Sequence, residues 1–197
     1  MLVSIEGSIG AGKSTTAKHL AQLLAWSVIQ EETTKHPFLA DFYTDPSRYA
    51  IETELGFVLL HYHQVKVLSP DDHRVADFAP SKDLVFARMN LVDQDLALFE
   101  HVYSRLWASV PRPRLTVFID LPINVLQARI AARGRPYELG ITTEYLSSLR
   151  EHYLANLSEL GERVEVLVLT GAESREAVAG QVHALLRETV FGEERLL

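Results

Sequence analysis

The feature that most constrains this chain is a glycine-rich segment near its start, Gly7-Ser8-Ile9-Gly10-Ala11-Gly12-Lys13-Ser14. It matches the P-loop pattern, G-x-x-x-x-G-K followed by serine or threonine. The apolar run at residues 2–5 predicts a buried strand before it, and apolar residues at helical spacing follow Lys13. This strand–loop–helix context predicts a nucleoside triphosphate site rather than a glycine-rich turn without a ligand.

Each part of the segment suits phosphate binding. Glycines lack a Cβ, so backbone N–H groups can point at a phosphate, and the positive end of the following helix adds to the attraction. We expect Lys13 to reach the β- and γ-phosphates and the Ser14 hydroxyl to bind Mg²⁺. The predicted nucleotide-binding residues are Gly7, Ser8, Ile9, Gly10, Ala11, Gly12, Lys13, Ser14 and Thr15.

The composition limits the other classes of partner. A formal net charge of −7 over 197 residues argues against a nucleic-acid binder. The absence of cysteine excludes disulfides, thiolate metal sites and a cysteine nucleophile. No apolar run is long enough to cross a bilayer, and residue 3 already lies in the first predicted strand. We therefore expect a cytoplasmic protein with no signal peptide and no membrane partner.

Predicted strands and helices alternate along the chain. Apolar runs predict five strands, at residues 2–5, 26–29, 74–78, 115–120 and 164–169. The longer predicted helices lie at residues 46–68, 92–109, 142–160 and 174–189. Because strands alternate with helices, we predict an α/β fold with a five-stranded parallel sheet flanked by helices, as a single domain over residues 1–197.

Arginines cluster after the fourth predicted strand. Arg129 and Arg133 share one helix face, and Arg135 follows just past Gly134. The planar donor fork of a guanidinium suits phosphate, so this cluster predicts a short arginine-rich lid at about residues 133–141. The alternative interpretation is a solvated basic helix end, which the helix dipole favours.

Acidic residues end two of the predicted strands. Glu31 and Glu32 follow the second strand, and Asp77 lies at the end of the third. Open α/β sheets bind ligands at this edge, where one carboxylate can deprotonate a hydroxyl and another can hold Mg²⁺ through water. A strand-end acid is often only a helix cap, so the spacing leaves both interpretations open for each residue.

Three separated segments resemble the deoxynucleoside kinases. They are residues 6–15, which contain the P-loop, residues 31–43, which end in Pro37-Phe38-Leu39-Ala40-Asp41-Phe42-Tyr43, and residues 129–146, which contain the lid. The resemblance covers most of the chain. It implies a P-loop kinase fold, ATP and Mg²⁺ as cofactors, a small deoxynucleoside as partner, and a dimer formed with a second copy or with a related subunit.

The resemblance also implies roles for individual residues. Glu31 matches the general base that accepts the proton of the sugar 5′-hydroxyl, while Tyr43 and Glu138 match the pair that binds the 3′-hydroxyl. From the residues alone, Tyr43 is a packing aromatic. The predicted catalytic set is Glu31, Lys13, Arg129, Arg133 and Arg135.

Glu54 stands where many members of the family carry a glutamine that reads the base. An ionised glutamate only accepts hydrogen bonds, and guanine presents adjacent N1–H and N2–H₂ donors that adenine lacks. Glu54 therefore favours a guanine base, and bacterial deoxyguanosine kinases look similar at this point. The alternative for Glu54 is a solvent-facing helix residue.

The third predicted strand departs from the family pattern. Many members end it with an acidic-Arg-Ser motif, whereas this chain has Ala76-Asp77-Phe78, so the arginine expected near the 5′-hydroxyl is absent. Asp77 is assigned a contact with Mg²⁺ through water or with the nucleoside. Arg88 is a candidate for the missing charge, and His61 is a candidate for the wall of the base pocket.

These observations predict ATP- and Mg²⁺-dependent phosphorylation of the 5′-hydroxyl of a purine deoxynucleoside, with deoxyguanosine favoured. Two alternatives stay open. One is a nucleoside monophosphate kinase of the thymidylate kinase type, for which residues 31–77 offer few arginines or lysines. The other is a P-loop nucleotide-binding subunit without catalytic activity.

Overall fold

A central parallel sheet organises the structure, a computed structural model that describes residues 1–69, 71–159 and 163–192. Its five strands within these residues are β1 (Leu2–Gly7), β2 (Ser27–Ile29), β3 (Arg74–Ala76), β4 (Leu115–Asp120) and β5 (Val164–Val168). The strand order is β2-β3-β1-β4-β5, and every neighbouring pair is parallel. The predicted α/β fold with a five-stranded parallel sheet is confirmed.

Helices connect the strands and cover the sheet. They are α1 (Lys13–Leu24), α2 (Leu39–Thr44), α3 (Pro46–Val65), α4 (Lys82–Asn90), α5 (Asp93–Trp107), α6 (Ile123–Arg133), α7 (Thr143–Ala155) and α8 (Arg175–Leu186). Short 3₁₀ turns lie at Thr33–Lys35, Pro136–Glu138 and Leu157–Glu159, and a π-helical turn lies at Arg187–Phe191.

Several predicted boundaries are too long. The helix predicted to reach residue 160 ends at Ala155, where the Asn156 N–H bonds the carbonyls of His152 and Tyr153; residue 160 itself lies outside the described residues. The third strand ends at Ala76 rather than at residue 78. Beyond it the Asp77 carboxylate binds the backbone of a neighbouring segment and the Phe78 ring packs under a histidine, so both side chains serve tertiary contacts.

The order of the strands places the P-loop at the middle of the sheet. β1 lies between β3 and β4 and is buried along its whole length, as is β4. Parallel strands covered by helices on both faces carry near-continuous apolar runs, which is why these two were the easiest to predict. The loop after β1 therefore opens at the carboxyl edge of the sheet, where α/β folds bind ligands.

Two apolar clusters fix the helices around this edge. The larger one packs α1 and α8 against the sheet through residues such as Ile5, Leu20 and Val182, each fully buried. Burying such a side chain contributes about 1.5–3 kcal/mol. The second cluster joins α3 to α5 through Val58 and Phe99. Within the described residues, no helix has both the length and the apolar character needed to cross a membrane.

The helices beside the site begin with identifiable caps. Asp45 Oδ1 accepts the Arg48 N–H at the start of α3, with Pro46 in the first turn. The Thr142 hydroxyl does the same for α7, and the Ser174 hydroxyl for α8. Helix α1 differs, because its N-cap residue is Gly12, which has no side chain, and within the described chain no side chain caps the helix. The backbone N–H groups of its first turn can therefore donate hydrogen bonds to a phosphate.

Candidate active site

A cavity of about 990 Å³ opens at the carboxyl edge of the sheet. The P-loop lines one part of it, residues of α2 to α4 line another, and Arg135 and Glu138 from the segment after α6 also contribute to its wall. Most of the predicted site residues line this one cavity: Ile9, Gly10, Ala11, Gly12, Lys13, Ser14, Thr15, Glu31, Tyr43, Glu54, Arg129, Arg133, Arg135 and Glu138. Gly7, Ser8 and Asp77 lie behind this lining.

The P-loop backbone adopts the conformation that its glycines permit. Gly10 and Gly12 have φ angles of 87° and 95°, in the left-handed region that L side chains rarely adopt. A Cβ on Gly10 would also lie 2.9 Å from the carbonyl oxygen of Leu126. Lys13 Nζ curls back over the loop and donates to the Gly7 carbonyl at 2.7 Å. The loop is a preformed concave cradle with a cation at its rim.

Glu6 is a buried carboxylate for which the sequence predicted no role. Its Oε1 accepts the Gly7 N–H at 2.9 Å and the Tyr153 hydroxyl at 3.1 Å, and its Oε2 accepts the Ala79 N–H at 2.8 Å. Lys13 Nζ lies 3.9 Å from Oε1. Burial raises the pKa of Glu6. Glu6 therefore ties the start of the P-loop to the segment after β3; a carboxylate within an apolar strand was the only signal.

Glu31 lies in the cavity wall just after β2 with several polar partners. Its Oε1 accepts hydrogen bonds from Lys82 Nζ and, at 3.1 Å, from His61 Nε2. The other ring nitrogen of His61 lies 2.8 Å from Asp83 Oδ1. Burial alone would raise the pKa of Glu31, but Lys82 and His61 hold it well below its usual value. Glu31 is therefore ionised at neutral pH, as a proton acceptor must be.

The other two strand-end acids occupy different positions. Glu32 pairs with Lys35 at 2.8 Å on the surface. Asp77 is buried, and its Oδ1 accepts the backbone N–H of Glu31 at 2.6 Å. Asp77 therefore positions the backbone of Glu31 from behind the cavity, and any contact with Mg²⁺ would have to run through water.

Lys82, which the sequence did not single out, places a cation beside Glu31. Arg88, the candidate for the missing charge, points elsewhere: its Nη1 donates to Asn156 Oδ1 at 2.9 Å and its Nε to Glu100 Oε1 at 3.3 Å. Arg88 is also not part of the cavity lining. The assignment of the missing charge to Arg88 is wrong, because the turn of α4 brings Lys82 rather than Arg88 to the cavity. A lone lysine at a helix start carries no sequence signal for this role.

Glu54 faces the cavity from α3 and is 2% exposed, which rules out the solvent-facing alternative. Its Oε1 accepts the Asn90 side-chain amide at 2.8 Å. Burial raises the pKa of Glu54 to about 8, despite the hydrogen bond from Asn90. The carboxyl is therefore mostly neutral at pH 7. This corrects the assumption of an ionised Glu54, which took no account of burial.

Tyr43 and Glu138 both line the cavity, and Glu138 does so from within the predicted lid. The Tyr43 ring stacks on Tyr137, with ring centroids 5.7 Å apart. Glu138 is buried, and its two carboxylate oxygens accept hydrogen bonds from Arg133 and from Arg135, the latter at 3.2 Å. Two of the predicted phosphate-binding arginines thus pair with a residue predicted to bind the sugar.

The third lid arginine lies against the P-loop. Arg129 Nη1 donates to the Ala11 carbonyl at 3.2 Å, and Nη2 lies 3.5 Å from the Gly171 carbonyl. Helix α6 ends after Arg133 at Gly134, whose φ of 66° lets the chain turn away into the lid. Of the three arginines, Arg129 thus contacts the P-loop, while Arg133 and Arg135 line the same cavity and bond Glu138.

Comparison with known proteins agrees with this arrangement. A sequence model of the deoxynucleoside kinase family matches residues 3–190. Deoxyguanosine kinase from Bacillus subtilis (strain 168) is 32% identical over 176 residues, covering 85% of this chain and 84% of that protein. Deoxyadenosine kinase from Dictyostelium discoideum is 28% identical over 177 residues, covering 87% of this chain and 72% of that one.

The fold has a close counterpart among solved structures. The structure of deoxyadenosine kinase from M. mycoides with bound dATP matches with a TM-score of 0.81 at 20% identity, over 95% of this chain and 100% of that chain. The family match spans nearly all of the chain, which confirms the resemblance seen in the three segments. This chain belongs to the deoxynucleoside kinase family and is a phosphotransferase.

Proposed function

We propose that this kinase transfers the γ-phosphoryl group of ATP to the 5′-hydroxyl of a purine deoxynucleoside, with deoxyguanosine as the preferred acceptor. The observation that carries the proposal is the placement of Glu31, an ionised carboxylate, in the same cavity as the P-loop and its Lys13. Relatives from Bacillus subtilis and Dictyostelium discoideum are named deoxyguanosine kinase and deoxyadenosine kinase, which supports a purine acceptor.

In the proposed reaction the 5′-oxygen attacks the γ-phosphorus in line. The new O–P bond forms as the bond from the γ-phosphorus to the β,γ-bridging oxygen breaks, and ADP leaves. Glu31 takes the proton of the 5′-hydroxyl. A carboxylate with a lowered pKa is a weak base, so Glu31 mainly orients the hydroxyl and accepts its proton only as the oxygen bonds to phosphorus and becomes acidic.

Positive charge around the transferred group supplies most of the remaining stabilisation. Lys13 lies at the rim of the P-loop and Arg129 contacts the loop directly. Fixed cations aimed at developing charge stabilise a transition state without reorganisation. The Ser14 hydroxyl lies on the cavity wall at the start of α1 and fits a Mg²⁺ ligand. Mg²⁺ would neutralise charge on the β- and γ-phosphates there.

We assign lid closure to residues 133–141. In this structure Arg133 and Arg135 are held by Glu138. A bound triphosphate offers these guanidinium groups a stronger anionic partner, and Gly134 provides the flexible backbone for the change. Glu138 is then available, with Tyr43, for the 3′-hydroxyl. Closure would also exclude water and so limit hydrolysis of ATP.

Base selection is assigned to Glu54 with Asn90. Ionised Glu54 accepts from the N1–H and N2–H₂ groups of guanine, whereas neutral Glu54 offers one donor and one acceptor, which suits the N1 and N6–H₂ groups of adenine. Guanine binding therefore ionises a carboxyl whose pKa is about 8 in this structure. The hydrogen bond from Asn90 favours the ionised form and lowers the cost of that step.

We further propose a cytoplasmic enzyme of nucleotide salvage that forms a dimer, with itself or with a related subunit. Helices α3 and α5 pack together and leave apolar residues exposed, among them Leu59 (54% exposed) and Leu98 (50% exposed). A contiguous exposed apolar patch marks a protein–protein interface, and we assign that role to this pair of helices.

The test is phosphate transfer from ATP and Mg²⁺ to each of the four deoxynucleosides, with wild type and Glu54→Gln. Turnover of deoxyguanosine that shifts towards deoxyadenosine in the variant supports both the reaction and the role of Glu54. Turnover with an unchanged preference keeps the reaction and removes the role of Glu54. Transfer only to monophosphates would identify a nucleoside monophosphate kinase, and nucleoside binding without turnover a binding subunit.

A further inference from the structure

We propose that His61 is a positioning residue that holds the Glu31 carboxylate for the reaction, with Asp83 fixing His61 from the other side and Lys82 sharing the same Glu31 oxygen. The proposal rests on the proposed function, because Glu31 is the proton acceptor there. It concerns a buried polar cluster, His61, Lys82 and Asp83, that the phosphate chemistry described above does not use.

The His61 ring has two aromatic neighbours and a hydrogen-bond partner at each ring nitrogen. It is fully buried and lies against Phe78 and Phe57, with ring centroids 4.2 and 5.7 Å away and interplanar angles of 21° and 27°. Its Nε2 is 3.1 Å from Glu31 Oε1 and its Nδ1 is 2.8 Å from Asp83 Oδ1. Rotation of the ring would break both hydrogen bonds, so His61 has one orientation.

Both partners of His61 are carboxylates, which only accept hydrogen bonds when ionised. Each ring nitrogen must therefore donate, and a histidine that donates from both nitrogens is the imidazolium cation. Burial alone would lower the pKa of His61, but Asp83 and Glu31 raise it to about 9. His61 is thus a fixed cation between two acids.

Lys82 provides the second cation. It is the first residue of α4 and 6% exposed, and its Nζ bonds the same Glu31 oxygen as His61. Nζ also lies 5.7 Å from the ring centroid of Phe57 and 5.6 Å from that of Phe86. Two carboxylates then balance two cations, which is how charged groups become tolerable in a protein interior.

These contacts fix the orientation of the Glu31 carboxylate. Both donors converge on Oε1, whereas within the described residues no side chain bonds Oε2. The carboxylate cannot swing without losing both bonds, so Oε2 is the oxygen presented to the 5′-hydroxyl. Because misplacing a reacting group by about 1 Å costs roughly 100-fold in rate, this support matters for turnover.

The first experiment compares His61→Phe with His63→Phe, the same change at an exposed position on the same helix. Phenylalanine keeps an aromatic ring in contact with Phe57 and Phe78 but removes both N–H donors. We expect kcat of His61→Phe to fall roughly 10- to 100-fold with the KM values for ATP and nucleoside little changed, because ground-state binding is not altered. His63→Phe keeps wild-type kcat.

A purely structural role predicts a different result. It predicts a lower thermal unfolding midpoint for His61→Phe with kcat, measured on the folded protein below that midpoint, equal to wild type. That result would overturn the proposal, as would equal losses of kcat in His61→Phe and His63→Phe. A wild type that transfers phosphate to no deoxynucleoside would instead overturn the proposed function and, with it, this proposal.

Lys82 gives an independent test should His61→Phe fail to fold. Lys82→Arg keeps a cation and donors near Glu31 Oε1, whereas Lys82→Met keeps the apolar stem alone. We expect Lys82→Met to lose kcat roughly 10- to 100-fold and Lys82→Arg to recover a large part of it. Lys66→Met, at an exposed lysine, is the matched control. Equal kcat values in Lys82→Met and Lys66→Met would overturn the proposal.

Discussion

The Glu54 carboxyl oxygen Oε1 lies 2.8 Å from the Asn90 side-chain nitrogen, inside a wall of the cavity that is nearly closed to solvent. Burial raises the pKa of this carboxyl to about 8, so its charge changes within the range where the enzyme can be assayed. One acidic group thus connects the choice of base to pH.

We expect the preference between purines to follow this ionisation. As the pH rises towards 8 and beyond, a growing share of the carboxyl is ionised before guanine binds, so the free-energy cost of ionising it for guanine falls, while the neutral form that suits adenine is lost. The ratio of kcat/KM for deoxyguanosine to that for deoxyadenosine should therefore rise from about pH 6.5 to about pH 9. Glu54→Gln, which does not titrate, should give a flat ratio. A wild-type ratio that stays constant over this range would contradict the assignment.

Asn90 should matter for the nucleoside and not for ATP. Asn90→Ala removes the amide that donates to Glu54, and a hydrogen bond to a charged group contributes about 1.5–3 kcal/mol. We expect the KM for deoxyguanosine to rise by about ten-fold or more, since about 1.4 kcal/mol is a factor of ten. Steady-state kinetics with each substrate varied in turn measures both KM values. A rise in the KM for ATP of the same size would point to general damage.

Glu31→Gln should separate chemistry from binding. The substituted amide keeps the size of the side chain but cannot take a proton, and loss of a positioned base costs roughly 100- to 10,000-fold in turnover. ATP affinity, measured by calorimetry, should change little, because the hydrogen bonds of Glu31 go to His61, Lys82 and Asp77 rather than to the P-loop. The neighbouring Glu32→Gln alters a residue in a surface ion pair and should behave as wild type. Comparable turnover in the two variants would remove Glu31 from the mechanism.

A P-loop glycine should be far less replaceable than a glycine in a helix. Gly10→Ala places a Cβ at a φ of 87° and 2.9 Å from a backbone oxygen, a strain of about 1–3 kcal/mol in the phosphate cradle. We expect ATP affinity to drop by roughly 5- to 150-fold, the equivalent of that strain. Gly180→Ala, in α8 with open space around it, should raise stability by about 0.5–1 kcal/mol. Thermal unfolding with and without ATP distinguishes the two.

Much of the fold followed from the sequence because local patterns encode it. The P-loop, the buried strands β1 and β4 and the arginines of α6 each lie within a few adjacent residues. Their order along the chain was enough to predict the sheet and to indicate the family. The ends of strands were predicted less well. Asp77, for example, lies beyond the end of β3, and its carboxylate accepts a hydrogen bond from the backbone N–H of Glu31.

The support around Glu31 could not be predicted in the same way. His61 and Lys82 lie 30 and 51 residues from Glu31 along the chain, and only the folding of α3 and α4 around one cavity brings them together. The protonation of Glu54 depends on burial, which a single sequence does not show. Arg88 has the charge that the family pattern leads one to expect, but its side chain bonds Glu100 and Asn156 instead.

The pairing of Glu138 with Arg133 and Arg135 has a consequence for how the two substrates bind. The guanidinium groups that a triphosphate attracts are the ones that occupy the carboxylate needed for the sugar. Filling the donor site therefore releases a ligand for the acceptor site, so each substrate should raise the affinity for the other. Because such coupling is reciprocal, deoxynucleoside should tighten ATP binding by the same factor. The ion pairs within the lid would thus lower the affinity of the free enzyme for either substrate alone and favour the complex that contains both.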